Sequence, residues 1–208
     1  MLKIKTLPVG QLKTNCYIVY DERTLEALII DPGDDADYIG RIISDFNLSP
    51  RKIIATHGHF DHILAVTELK LNYNIPFLIH KADEFLIKNM KSSAKHFIGI
   101  TTDPPPIANS FFSDNNKIQV GSSTLTVIHT PGHTPGSVCL NFEEGNILFV
   151  GDLIFENGAV GRTDFSYSDQ KDLNNSISKI LKLDKYTTVY CGHGDSFLLK
   201  DWKDQQEW

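Results

Sequence analysis

Thr56-His57-Gly58-His59-Phe60-Asp61-His62 is the stretch on which the reading of this chain turns. It follows Lys52 to Thr56, which reads as a buried-type strand, and precedes Ile63 to Tyr73, which reads as a helix. The heptapeptide therefore sits on a strand-to-helix corner. On such a corner the side chains of His57 and His59 point one way while Asp61 and His62 reach an adjacent position. Three imidazoles and a carboxylate so close together are the donor types that a borderline cation such as zinc takes. The bland alternative, a polar loop with incidental histidines, leaves that density unexplained.

Upstream, Ile4 to Val9, Cys16 to Tyr20 and Ala27 to Ile30 are short β-prone runs, the last closed by Asp31-Pro32-Gly33. Tyr38, Ile39, Ile42, Ile43 and Phe46 recur at helical spacing. They predict a helix with three aspartates in its first turn, in a unit that Pro50 ends. Downstream, Phe77 to His80 reads as a strand and Lys81 to Met90 as a helix. Thr101 to Ser110, with Pro104-Pro105-Pro106, reads as a surface loop able to wall or cover a site. Strands resume at Lys117 to Val120, Thr124 to Thr130, Ser137 to Phe142 and Asn146 to Val150. Leu173, Ile177, Ile180 and Leu181 mark a helix with Ser168 as its expected N-cap, Thr187 to Cys191 a last strand, and Leu198 onward a short helix. Strands then helices, twice over, fit two mixed sheets sandwiched between helices in one domain over residues 1–208.

Three of those strand ends carry further donors. Thr130-Pro131-Gly132-His133-Thr134-Pro135-Gly136 is a turn presenting one histidine, Phe149-Val150-Gly151-Asp152 ends on an aspartate, and Val189-Tyr190-Cys191-Gly192-His193-Gly194 ends on a glycine-flanked histidine. Each alone is a weak signal. Together with the first cluster they give seven candidate ligands, enough for two cations sharing one carboxylate. His129 reads as a core or supporting histidine, and His80 and His96 as surface residues.

Composition narrows the function classes. Hydrophobic residues make up 41% and charged residues 22%, ordinary globular usage. Acidic side chains outnumber basic ones 26 to 20, for a formal net charge of −6, which disfavours nucleic acid or an anionic membrane as partner. No apolar run has the length of a membrane helix and no secretory leader is visible, so a cytoplasmic location is expected. Cys16, Cys139 and Cys191 are odd in number and far apart, and read as core thiols rather than a disulfide framework.

THGHFDH, PGHTPGS, GD and CGHG, in this order, resemble the metallo-β-lactamase-fold superfamily over nearly the whole chain. Within it the chain looks most like the short, single-domain branch of the glyoxalase II-like (hydroxyacylglutathione hydrolase-like) proteins, supported by Gly151-Asp152-Leu153-Ile154-Phe155 and Gly161-Arg162-Thr163-Asp164-Phe165. The resemblance implies an α/β fold, a four-layer αββα sandwich with metals at one edge of the sheets. It implies that His57, His59 and His133 hold a first divalent ion and that Asp61, His62 and His193 hold a second, with Asp152 bridging them. Zinc is the expected metal, with iron or manganese compatible with the same donors.

The implied reaction is attack of a metal-bridging hydroxide on the carbonyl of a small acyl substrate, most simply a thioester such as S-D-lactoylglutathione. In it Asp61 orients the attacking oxygen or relays its proton, and Arg162 contacts substrate. The short stretch after His193, Asp195-Ser196-Phe197-Leu198-Leu199 included, departs from full-length glyoxalase II, whose C-terminal helical domain supplies part of the glutathione site. Alternatives from the same resemblance are a one-iron persulfide dioxygenase and a lactonase. A non-catalytic metal-binding protein would require a broken ligand set.

Overall fold

Alternation along the strands builds the layers. In the computed structural model, which describes residues 1–206, β2 (Thr14–Asp21) is buried along nearly all its length because both its faces are covered. Cys16 and Ile18 point into one apolar cluster, Tyr17 and Val19 into another, as the two-residue period of a strand requires. β3 (Glu26–Ile30) divides the same way, with Ala27 and Ile29 on one side and Leu28 and Ile30 on the other.

These strands lie in a six-stranded sheet with β1 (Leu2–Val9), β4 (Ser49–Ile54), β5 (Phe77–His80) and β6 (Ser110–Phe112), in chain order. The β1–β2–β3 pairs are antiparallel and the β3–β4–β5–β6 pairs parallel. A second sheet runs β12 (Phe197–Leu198), β11 (Thr188–Cys191), β10 (Ile147–Gly151), β9 (Val138–Phe142), β8 (Ser123–His129), β7 (Lys117–Val120). Helices α1 (Ala36–Asp45), α2 (Val66–Tyr73) and α3 (Glu84–Ile98) pack apolar residues against the first sheet. Helices α4 (Gln170–Ile180) and α5 (Leu199–Gln205) cover the second. One apolar cluster fills each helix–sheet interface and a third, with Phe149 at its second-sheet side, separates the sheets. This is the four-layer αββα arrangement. No described helix is long and apolar enough to cross a membrane.

Several local expectations shift for physical reasons. Pro50 does not end a unit; it is the second residue of β4, beside a register irregularity and before the stretch that pairs with β5. Asp34 and Asp35 precede α1 rather than lying in its first turn, and the Asp35 carboxylate accepts from Gly10 N–H (2.9 Å). Residues 60–62 form a separate 3₁₀ turn ahead of α2. The third helix runs eight residues beyond Met90, to Ile98. Asp169, not Ser168, caps α4, because the Ser168 hydroxyl is spent on the His133 carbonyl (2.7 Å). The proline segment lies along α2, where Thr67 and Lys70 donate to the carbonyls of Pro104 and Ile107.

Two buried aspartates join the layers at their ends. Asp21 accepts from Arg23 and Thr24 N–H on one oxygen, and from Ser122 N–H and hydroxyl on the other (2.7–3.1 Å). It thereby ties the end of β2 to the β7–β8 turn. These bonds, Ser122 foremost, hold its carboxyl well below the usual range. Asp83, just before α3, accepts from Gly58 N–H (2.8 Å), Gly136 N–H (2.7 Å) and the Thr134 hydroxyl (2.7 Å). It clamps the corner after β4 to the turn between β8 and β9. The fit is close: a Cβ at position 136 would lie 2.6 Å from the Asp83 carboxylate.

Because the folded state favours ionised Asp21, its contribution is complete above a pH of about 4 and is lost as pH falls below that. Stability measured by urea unfolding should therefore drop more steeply on acidification in the wild type than in Asp21→Asn. Asp83→Ala leaves the Gly58 and Gly136 N–H groups buried without an acceptor, at about 1–3 kcal/mol each. A lowered urea midpoint is expected, with a smaller shift in Asp83→Asn, which retains one acceptor oxygen.

Candidate metal centre

Four strand ends deliver the cluster to one edge of the sandwich. The corner after β4 supplies His57 and His59, and the 3₁₀ turn that follows supplies Asp61 and His62. The β8–β9 turn supplies His133, while Asp152 and His193 come just after β10 and β11. All seven residues proposed from sequence converge here.

His59 Nδ1 lies 3.0 Å from both His57 Nε2 and His133 Nε2. Asp152 Oδ2 is 3.7 Å from His133 Nε2 and from His193 Nε2, and its Oδ1 is 3.5 Å from His62 Nε2. Asp61 Oδ2 lies 3.4 Å from His193 Nε2 and 3.7 Å from His62 Nε2. The candidate donor atoms fall into sets: His57, His59, His133; His57, His62, Asp152; and Asp61, His62, His193. Within each set all atoms are inside 4.8 Å of one another. Two donors about 2.1 Å from one tetrahedral ion sit roughly 3.4 Å apart, so these separations suit ligation. Gly192 makes room for the approach: a Cβ there would strike Asp152 Oδ1 and come within 2.8 Å of His62 Cε1.

The outer nitrogens complete the fit. While one nitrogen of each ring faces inward, the other has a partner outside. His57 Nδ1 meets Thr56 Oγ1 (3.2 Å), His133 Nδ1 the Arg162 carbonyl (2.9 Å), and His193 Nδ1 the Leu12 carbonyl (3.1 Å). His59 Nε2 meets the Tyr167 hydroxyl (2.9 Å). His62 Nδ1 has Asp31 Oδ2 at 3.0 Å, close enough for an ion pair though outside hydrogen-bond alignment. Such partners fix the tautomer and aim of a ligating imidazole. Among the described residues, four buried side-chain N or O atoms have no hydrogen-bond partner, and three of them belong to His62 and Asp152. Of these, His62 Nε2 and Asp152 Oδ1 face each other at 3.5 Å without a formed hydrogen bond, a separation that suits a divalent cation held by both.

Asp31 is a residue that sequence reading passed over as turn punctuation. Buried, it accepts from Thr56 N–H (2.6 Å) and Oγ1 (2.7 Å) as well as facing His62. The available signal was its place directly after an apolar strand, one strand removed from the histidine corner.

Electrostatics sort the side chains. Burial, reinforced by the surrounding imidazoles, holds His57 and His59 well below the usual histidine range, so both are neutral donors at pH 7. Burial also opposes charge on His62, but Asp152, Asp61 and Asp31 outweigh it and raise its pKa to about 10. Against the cost of burial, His62, His193 and His59 keep Asp61 ionised.

A cavity of about 550 Å³ opens over the cluster. Phe60, Phe97, Ile98, Phe165 and Tyr167 give it an apolar wall, and Arg162 stands at its rim with a bidentate pair to Asp164 (2.6–2.7 Å). The C-terminal end of α3 thus borders the cavity, while the 101–110 loop does not line it. His129 is elsewhere, stacked on His80 with ring centroids 4.3 Å apart. The three cysteines are buried in the apolar layers.

Known proteins share this sequence pattern and this fold. Hydroxyacylglutathione hydrolase GloC of Haemophilus influenzae is 31% identical, over 93% of this chain and 91% of its own length. The crystal structure of BLEG-1 B3 metallo-beta-lactamase superposes with a TM-score of 0.90 at 33% identity, over 97% of each chain. TTHA1623, solved in a di-iron-bound form, gives 0.89 at 31% identity, over 98% of each chain. Residues 9–193 match the Metallo-beta-lactamase superfamily, and the chain belongs to that family.

Proposed function

We propose that this protein is a dinuclear metal-dependent hydrolase of a small acyl thioester, with S-D-lactoylglutathione as the first substrate to test. The observation that carries the reading is the two-sided order of the histidines: five rings, each with one nitrogen facing inward and the other met from outside. His57, His59 and His133 would hold one ion and Asp61, His62 and His193 the other, with Asp152 shared. The similarity to GloC supports the thioester assignment. Zinc suits the imidazole and carboxylate donors, and iron and manganese are compatible with the same set. Bound there, the ions would supply Lewis acidity for a carbonyl and ionisation of water near neutral pH.

The chain's own groups supply the rest. Asp61, whose Oδ2 accepts from the Thr14 hydroxyl at 3.1 Å, lines the cavity and can orient the attacking water or relay its proton. Phe60, Phe97 and Phe165 exclude water from one side of the site. Arg162, seated over the Phe165 ring at 4.5 Å, is placed to receive an anionic end of the substrate.

Asp152→Ala is expected to lose most bound metal and turnover while keeping the fold, as read by metal analysis, S-D-lactoylglutathione hydrolysis and circular dichroism. Near-normal activity in that variant contradicts the shared-carboxylate arrangement. Arg162→Ala should raise KM roughly tenfold, the value of one charged hydrogen bond, with kcat little changed. One tightly bound iron with persulfide-dependent oxygen uptake, and no thioester turnover, would replace the hydrolase reading with the dioxygenase one.

A further inference from the structure

We propose that the Tyr167 hydroxyl does two things at once: it fixes the tautomer of His59 and it donates its own proton, as a hydrogen bond, to the substrate's carbonyl oxygen. The inference builds on the metal-dependent reading above. With His59 Nδ1 turned toward His57 and His133, the His59 proton belongs on Nε2, which then donates to Tyr167 Oη at 2.9 Å. The same placement holds for the other four rings, but their outer partners have no proton to spare. His133 and His193 donate to backbone carbonyls and His62 faces the Asp31 carboxylate. The Thr56 hydroxyl beside His57 spends its proton on Asp31 Oδ2 (2.7 Å).

Tyr167 is the exception. Its oxygen accepts from His59, and among the described residues its own O–H has no protein acceptor. It lines the same cavity as His59, Asp61 and Asp152. Its ring is held parallel to Phe165 (centroids 5.2 Å, 9° between planes) and edge-on to Phe85 (5.4 Å), so the hydroxyl is aimed by packing. A phenol with an unspent proton on the wall of a reaction cavity stabilises an oxygen that gains negative charge as its carbonyl is attacked. No proton is transferred, and the phenol emerges unchanged.

Tyr167→Phe keeps the ring and removes only the hydroxyl. Zinc affinity, read by chelator competition, should fall about 10–100-fold, the usual effect of losing an outer partner of a ligating histidine. At saturating zinc, kcat for the thioester should fall about 100-fold with KM little changed. Phe165→Leu, which keeps the hydroxyl, should move zinc affinity far less. Unchanged zinc affinity in Tyr167→Phe overturns the His59 role, and unchanged kcat at saturating zinc overturns the donor role. The zinc arm needs no substrate, so it reads separately from the hydrolase assignment. Should the wild type hydrolyse no thioester, acetate binding to zinc-loaded protein reads the donor: about tenfold weaker in Tyr167→Phe supports it, and equal affinity overturns it.

Discussion

Asp152 divides one carboxylate between two groups of imidazoles, with Oδ2 toward His133 and His193 and Oδ1 toward His62. The rest of the centre depends on that division. Five imidazoles packed this closely cannot all carry protons, since like charges a few ångströms apart in a water-poor site repel strongly. Burial keeps His57 and His59 neutral, and with their protons on the outer nitrogens the inward nitrogens of His57, His59 and His133 face only one another. The two carboxylates among them have His62 as their nearest charged neighbour, and positive charge entering from outside would compensate them more fully. Divalent cations would answer both demands, and the alternation of imidazole and carboxylate donors offers such charge neighbouring places.

Holding donors at these separations requires rigid supports, and the sandwich provides them as strand ends. β4, β10 and β11 each run out at the same edge, so their following residues inherit the precision of ladders fixed several residues back. Buried carboxylates then lock the connecting turns to one another. Asp31 reaches from the end of β3 to Thr56 and His62, and Asp83 from the start of α3 to both the first histidine corner and the His133 turn. Neither is placed as an inward-facing donor. Both set where the donors stand, which is the role outer partners play around metals generally.

The candidate donors were legible in the sequence because their types are rare, clustered and placed at strand ends, features that depend on local order alone. The layers were legible in the order of the elements, strands then helices twice over, and the burial of β2 and β3 on both faces matches that order. What stayed hidden depended on contacts distant in the chain. Asp83 reads as an ordinary helix-entry acid until the fold brings Gly58 and Gly136 to it, and Tyr167 has no local signature at all. Ser168 illustrates the limit: an N-cap by local rules, it is diverted to the His133 carbonyl, and its neighbour Asp169 takes the capping role. Local propensity chose the right turn and tertiary contact chose the residue.

The candidate donors and the cavity wall are carried by different parts of this molecule. The inward-facing donors stand on strand ends, whereas the cavity wall comes from the end of α3 and from residues 162–167, segments free to vary without disturbing the ladders. Arg162 shows how such a wall can be specific and still responsive. Its pair with Asp164 is exposed on both sides, at 57% and 63%, and exposed pairs are worth about 0–1 kcal/mol. An anionic group arriving at the cavity rim can therefore displace Asp164 at little cost, while Phe165 keeps the guanidinium in position for it. A weak ion pair at the rim thus leaves Arg162 able to change partners, which a strong one would prevent.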